Sequence, residues 1–156
     1  MVEVHPVIKK LQLKDQSKPV LILNAPKEYE EVIASFEAEV HTEAAEDTYS
    51  FVQVFGTTNE TIRELGGKAV EFLSEDGLLW LCYPKKSSKT YKGSDCSRES
   101  VAELLAEKDF EPVRQVAVDE DWSALRFRHV DNIKTMIRKQ AVTEKGKQRV
   151  NDLENS

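Results

Sequence analysis

Residues 77–88 read Gly77-Leu-Leu-Trp-Leu-Cys-Tyr-Pro-Lys-Lys-Ser-Ser88. The apolar part of this run has no polar face to turn toward water, so a strand here must be covered on both sides. It passes directly into a basic, hydroxyl-rich loop. Pro19-Val-Leu-Ile-Leu-Asn24 has the same unbroken apolar character, and residues 49–55 read as a further strand. Strands buried on both faces belong to an open α/β sheet with helices above and below it, and that requirement excludes most other architectures.

The segments between these strands supply the helices. Val4, Val7, Ile8 and Leu11 recur at helical spacing, with Pro6 in the first turn. Tyr29, Val32, Ile33 and Phe36 do the same over 28–36, and a short weak strand is predicted at 39–41. Thr58 is a predicted N-cap for a helix carrying Ile62, Leu65, Ala69, Val70, Phe72 and Leu73. Gly66-Gly67 in its middle predicts a kink or two shorter helices. Asp76-Gly77 closes that segment as a turn before the strand 78–83. Ser97 and Ser100 compete to cap the next helix, Ser100 having Glu103 at capping-box spacing. Residues 112–118 and 124–130 read as two strands, and Asp131 is placed to cap a last helix through Ile133, Met136 and Ile137.

Strands that alternate with helices predict a mainly parallel sheet with right-handed crossovers. The last two strands are too close together for a helical crossover and must be antiparallel neighbours. The fold class expected is a single Rossmann-like three-layer α/β sandwich whose mainly parallel sheet ends in an antiparallel strand pair. The apolar pattern fades after Ala141, which predicts one domain over 1–140 and a mobile C-terminal tail over 141–156. With 40% hydrophobic and 32% charged residues the composition is that of a globular protein. No apolar run approaches the roughly 20 residues of a spanning helix. Cys82 and Cys96 make no disulfide framework, so a cytoplasmic setting without membrane association is expected.

The antiparallel ending resembles the class I methyltransferase-like variety of the Rossmann fold. A second resemblance is carried by short motifs in order. These are Lys10-Leu-Gln-Leu-Lys14 with Leu21-Ile-Leu-Asn-Ala-Pro26, Trp80 with Pro84-Lys-Lys-Ser87, and Val118-Asp-Glu120 with Trp122, Ser123, Leu125 and Phe127. Over roughly 8–130 they are similar to an uncharacterised bacterial family of small domains. The resemblance implies the fold and a bacterial cytosolic setting, and it brings no chemistry to carry over. In methyltransferases of this class the first strand ends in a glycine-rich loop that lets the backbone approach the cofactor. The loop Asn24-Ala-Pro-Lys-Glu28 has no glycine, and a proline ring takes up the space. Glu43, the one candidate for a ribose-binding acid, lies in an acidic run without special spacing. No cofactor is expected.

Open α/β sheets bind ligands beyond the carboxyl ends of their strands, where the strand order reverses. Those ends place Asn24, Thr57, Thr58, Lys85, Lys86, Ser87 and Ser88 on one rim, with the turn 119–122 at the same end. The lysines and hydroxyls suit a phosphate or carboxylate, and Trp122 offers a flat face to a ring. The competing reading pairs Lys85 and Lys86 with Asp119, Glu120 or Asp121 and buries Trp122 in the core. His5, His41 and His129 stand on separate elements and predict no metal site, and no Gly-x-Ser-x-Gly elbow surrounds any serine. Cys96 near a helix start is the better of two weak thiol candidates.

Charge is segregated along the chain. Residues 1–75 carry a balance of −7 and residues 126–149 one of +6, within a net −6. Lys134, Arg138, Lys139, Lys145, Lys147 and Arg149 suit sequence-blind phosphate contact, but nucleic acid is disfavoured because the patch is short and the whole protein acidic. The expected function is a non-catalytic binding or regulatory module for an anionic small molecule or a protein partner. The alternatives are an enzyme acting on a nucleotide-like or phosphorylated substrate and a nucleic-acid accessory protein.

Overall fold

The computed structural model describes residues 5–133. His5 starts it by accepting a hydrogen bond from the Val7 amide at 3.1 Å, and Pro6 opens helix α1 (Pro6–Lys10). Strand β1 (Val20–Leu23) follows, then a 3-10 turn at Lys27–Tyr29 that continues into α2 (Glu30–Ala34). The weak strand shrinks to β2 (Val40–His41), and β3 (Tyr49–Phe55) leads to α3 (Asn59–Ala69). Strand β4 (Leu73–Pro84) precedes α4 (Arg98–Ala102), and β5 (Phe110–Ala117) and β6 (Trp122–His129) end the sheet.

The six strands lie in the order β2-β1-β3-β4-β6-β5. Strands β2, β1, β3 and β4 are parallel, while β6 runs antiparallel to both β4 and β5. Chain order reverses between β1 and β3, because β1 connects outward to β2 and the chain then returns to β3 on the other side. The apolar runs have the cause anticipated for them. Leu21, Val52, Val54, Leu79, Leu81 and Leu125 pack beneath α3 and α4. Val20, Ile22, Phe51, Phe55, Trp80 and Cys82 pack beneath α1, Tyr29 and Phe36. Gln53 is polar and buried on this second side, and its amide is satisfied by accepting from Tyr29 at 2.9 Å and donating to Cys82 Sγ at 3.3 Å.

Several boundaries differ from the sequence reading. Asp76-Gly77 is no turn between elements. It lies inside β4, at a register shift against β3, with Asp76 at φ 53°. A side chain at Gly77 would meet Ser50 O at 3.2 Å, so the residue serves close strand approach. Gly66 and Gly67 lie within a continuous helix, and only its last turn, Val70–Phe72, tightens to 3-10 geometry. Ser97 caps α4, and Ser100 answers it from N3, so the box is Ser97 with Ser100 and not Ser100 with Glu103. Asp131 lies in a 3-10 turn, Val130–Asn132. The helix through Met136 and Ile137, the basic residues from Lys134 onward and the boundary at 140/141 lie outside the described residues. No helix among the described residues is long and apolar enough to cross a membrane.

The two helix glycines separate packing from propensity. A β-carbon on Gly66 would sit 3.3 Å from Leu81 Cδ2 and 3.4 Å from Leu105 Cδ2, whereas one on Gly67 would meet nothing within 4 Å. Gly67→Ala is therefore expected to stabilise the protein by about 0.5–1 kcal/mol, read as a higher urea midpoint. Gly66→Ala is expected to gain less, because Leu81 and Leu105 must give way.

Candidate functional site

At the point where strand order reverses, Asn24 ends β1 in a left-handed conformation with φ 59°, and its Nδ2 donates to Phe55 O at 2.9 Å. This bond closes the seam between the carboxyl ends of β1 and β3. Thr58 caps α3 through its Oγ1, which accepts from the Thr61 amide at 3.2 Å and donates to Thr61 Oγ1 at 2.9 Å. Thr57 is exposed beside it. Asn59 ties this corner to the loop before α4, its amide donating to Asp95 Oδ1 at 2.9 Å and its Oδ1 accepting from Ser100 at 2.9 Å.

Trp122 is not a platform on the rim. It is 2% exposed and packs edge-on against Phe55 and Tyr91, with ring centroids 5.2 and 4.9 Å apart. Its Nε1 donates to Glu28 Oε2 at 3.3 Å, and the same oxygen accepts from the Tyr91 hydroxyl. The loop after β1 and the loop after β4 are thereby joined across the end of the sheet, above Phe55. Burial works against ionising Glu28, but the bonds from Tyr91, from its own backbone amide and from Trp122 outweigh it and hold the carboxyl below its ordinary value. Burial, followed by the contact with Glu28, pushes the Tyr91 phenol up to about 12. The protein's own side chains thus bridge the loops after β1 and β4 at the carboxyl end of the sheet.

The remaining rim residues divide between two faces. Ser88 is 4% exposed, donates to Asp121 Oδ1 at 2.7 Å and accepts from the Tyr91 amide at 3.1 Å, so it is a loop brace. Lys85 donates its backbone amide to Asp121 O at 2.8 Å, and Asp119 Oδ1 accepts from the Asp121 and Trp122 amides. The acidic turn is therefore engaged with backbone and serine. Among the described residues neither Lys85 nor Lys86 forms an ion pair with it or with any other carboxylate.

Instead Lys85, Lys86 and Ser87 border a hollow of about 450 Å³ on the α4 side of the sheet. Arg98 and Glu99 line it from α4, Gln115 from β5, Ser123 from β6 and Tyr83 from the end of β4. Three cations thus face one carboxylate. Glu99 is held below its ordinary value, first by its own backbone amide and further by Lys86 and Arg98. Arg98, Gln115, Ser123 and Tyr83 escaped the sequence reading. Sheet pairing alone brings Ser123 opposite Tyr83, and the one local signal was Arg98 directly after the capping Ser97.

Neither thiol is prepared for attack. Burial pushes Cys82 up to about 12 and also raises Cys96. Among the described residues no three His, Cys, Asp or Glu side chains converge as metal ligands.

The fold is similar to that of a SAM-dependent methyltransferase from Aquifex aeolicus, with a TM-score of 0.53 at 14% identity over 80% of this chain and 88% of that one. A ribosomal protein L11 methylase from Lactobacillus delbrueckii subsp. bulgaricus aligns at 10% identity over 79% of this chain and 74% of its own, with a TM-score of 0.48. A protein in the NADB-Rossmann superfamily from Streptococcus agalactiae aligns at 10% identity over 82% and 69% of the two chains, also with a TM-score of 0.48. No family model matches the sequence, and no curated protein matches it significantly. At such identities likeness shows fold alone, and the Aquifex structure carries it: the sheet is of the methyltransferase-like Rossmann kind.

Proposed function

We propose that this protein is a binding or regulatory module that engages an anion, free or on a partner protein, at the basic hollow beyond β4, and that it performs no chemistry there. The observation that supports this most directly is the convergence of Lys85, Lys86 and Arg98 on one hollow while the nearby acidic turn is engaged elsewhere. These cations outnumber Glu99, the one carboxylate lining the hollow, and the surplus suits an oxyanion. The hollow offers no activated nucleophile, and its one carboxylate favours the ionised form.

The second reading, an enzyme of methyltransferase type, draws on the fold. The Glu28–Tyr91–Trp122 bridge and the glycine-free loop after β1 speak against it.

The test is thermal unfolding with inorganic phosphate, citrate and S-adenosylmethionine, repeated in Lys85→Ala/Lys86→Ala. An anion at 100 times its dissociation constant is expected to add about 2.7 kcal/mol, or about 5 °C, and the double variant is expected to remove that gain. A shift from S-adenosylmethionine that survives the double variant would favour the enzyme. No shift from any of the three would overturn the anion site.

A further inference from the structure

We infer that the hollow takes a phosphorylated polyol, with the phosphate at Lys85, Lys86 and Arg98 and a hydroxyl oxygen of the polyol body accepting from the Tyr83 phenol. This inference rests on the anion reading above and names the ligand class for the same site.

Charge comes first. Three cations against Glu99 leave a surplus of two, and a phosphate monoester carries about −1.5 to −2 at neutral pH. Size comes second. The open hollow of about 450 Å³ is larger than a bare phosphate and leaves room beside it for an organic body. The lining then describes that body. Ser87, Ser97, Gln115 and Ser123 present hydroxyl and amide groups. The aromatic faces at this end of the sheet are committed inward, Phe55 and Trp122 on the opposite side and Tyr83 only 3% exposed. A flat base would find no ring to stack on, while a polyol would find polar partners.

Tyr83 supplies the specific contact. Its oxygen accepts from Gln115 Nε2 at 3.0 Å, and Ser123 stands opposite Tyr83 on β6. A phenol has two acceptor positions and one proton. With Gln115 already donating to the oxygen, the phenol's own proton is left to donate to an acceptor in the hollow. Burial raises the phenol's titration further above neutral pH, and Arg98 and Glu99 line the same hollow.

The experiment is titration calorimetry of the full chain with inorganic phosphate, glucose 6-phosphate, ribose 5-phosphate, glycerol 3-phosphate and adenosine monophosphate, followed by the better ligands on Tyr83→Phe. At least one of the three polyol phosphates is expected to bind about tenfold tighter than phosphate, the worth of one further hydrogen bond. Tyr83→Phe is expected to erase that preference. Equal affinity for phosphate and all polyol phosphates, with both lost in Lys85→Ala/Lys86→Ala, would overturn the polyol and leave the anion site standing. Tighter binding of adenosine monophosphate, or a polyol preference that survives Tyr83→Phe, would overturn it as well. Binding of none would overturn the anion site itself. The ranking of ligands on the unaltered protein decides the matter even if Tyr83→Phe does not fold.

Discussion

Trp80→Ala is expected to destabilise the protein by about 3–5 kcal/mol, a large share of the roughly 5–15 kcal/mol that holds a single domain folded. Two losses combine. Trp80 is fully buried on β4, the strand between β3 and β6, and packs with Val7, Ile8 and Leu11 of the α1 segment. Truncation opens a cavity beneath that helix. Its Nε1 also donates to Leu11 O at 3.0 Å, and this carbonyl would be left without its indole donor. Trp80→Phe separates the terms, because it keeps most of the ring volume and removes only the donor. It is expected to cost about 1–3 kcal/mol, measured as the urea midpoint followed by far-UV circular dichroism. If Trp80→Phe equals the parent, the bond to Leu11 adds nothing and α1 is held by apolar contact alone.

Trp80 also shows what the sequence made legible. The run around it is apolar at every position because α1 covers one side and α4 the other, so the strand was visible without any alternation. The antiparallel ending was equally visible, since the stretch between β5 and β6 is too short for a crossover. Asp76-Gly77 misled because its local chemistry is that of a turn, while its role depends on Ser50 across the sheet. Trp122 misled for a related reason. Next to an acidic turn it reads as rim, yet by strand alternation it shares the face of Ala124 and of the helix-covered core. In the site, Lys85 to Ser87 were legible as a basic loop leaving a buried strand. Tyr83 was read only as core, because its place at the hollow and its bond to Gln115 depend on β5 and β6. Pairwise geometry of this kind has no local trace.

Gly56→Ala is expected to cost about 1–3 kcal/mol and to leave anion binding at the hollow unchanged. A glycine just beyond a central strand of this fold invites a reading as the place where a cofactor comes close to the backbone. The geometry assigns it to helix packing instead. A β-carbon there would lie 2.5 Å from Ile62 Cγ1 and 3.3 Å from the Ile62 amide nitrogen. Ile62 has little freedom to yield. It is fully buried and β-branched, and its amide is bonded to Thr58 O at 3.1 Å in the first turn of α3. Gly56 is fixed from the other side, its amide donating to Cys82 O at 3.2 Å on β4. If the clash is the cause, the two positions must couple. Ile62→Ala should cost less in the Gly56→Ala background than alone, by roughly 0.5–3 kcal/mol in a double-mutant cycle of urea midpoints. Additive losses would mean that the added methyl is absorbed elsewhere and that α3 does not rest on Gly56. Coupling together with an unchanged affinity for phosphate would separate this packing glycine from a ligand-binding one, and it would put the functional end of the sheet at β4, away from the seam between β1 and β3.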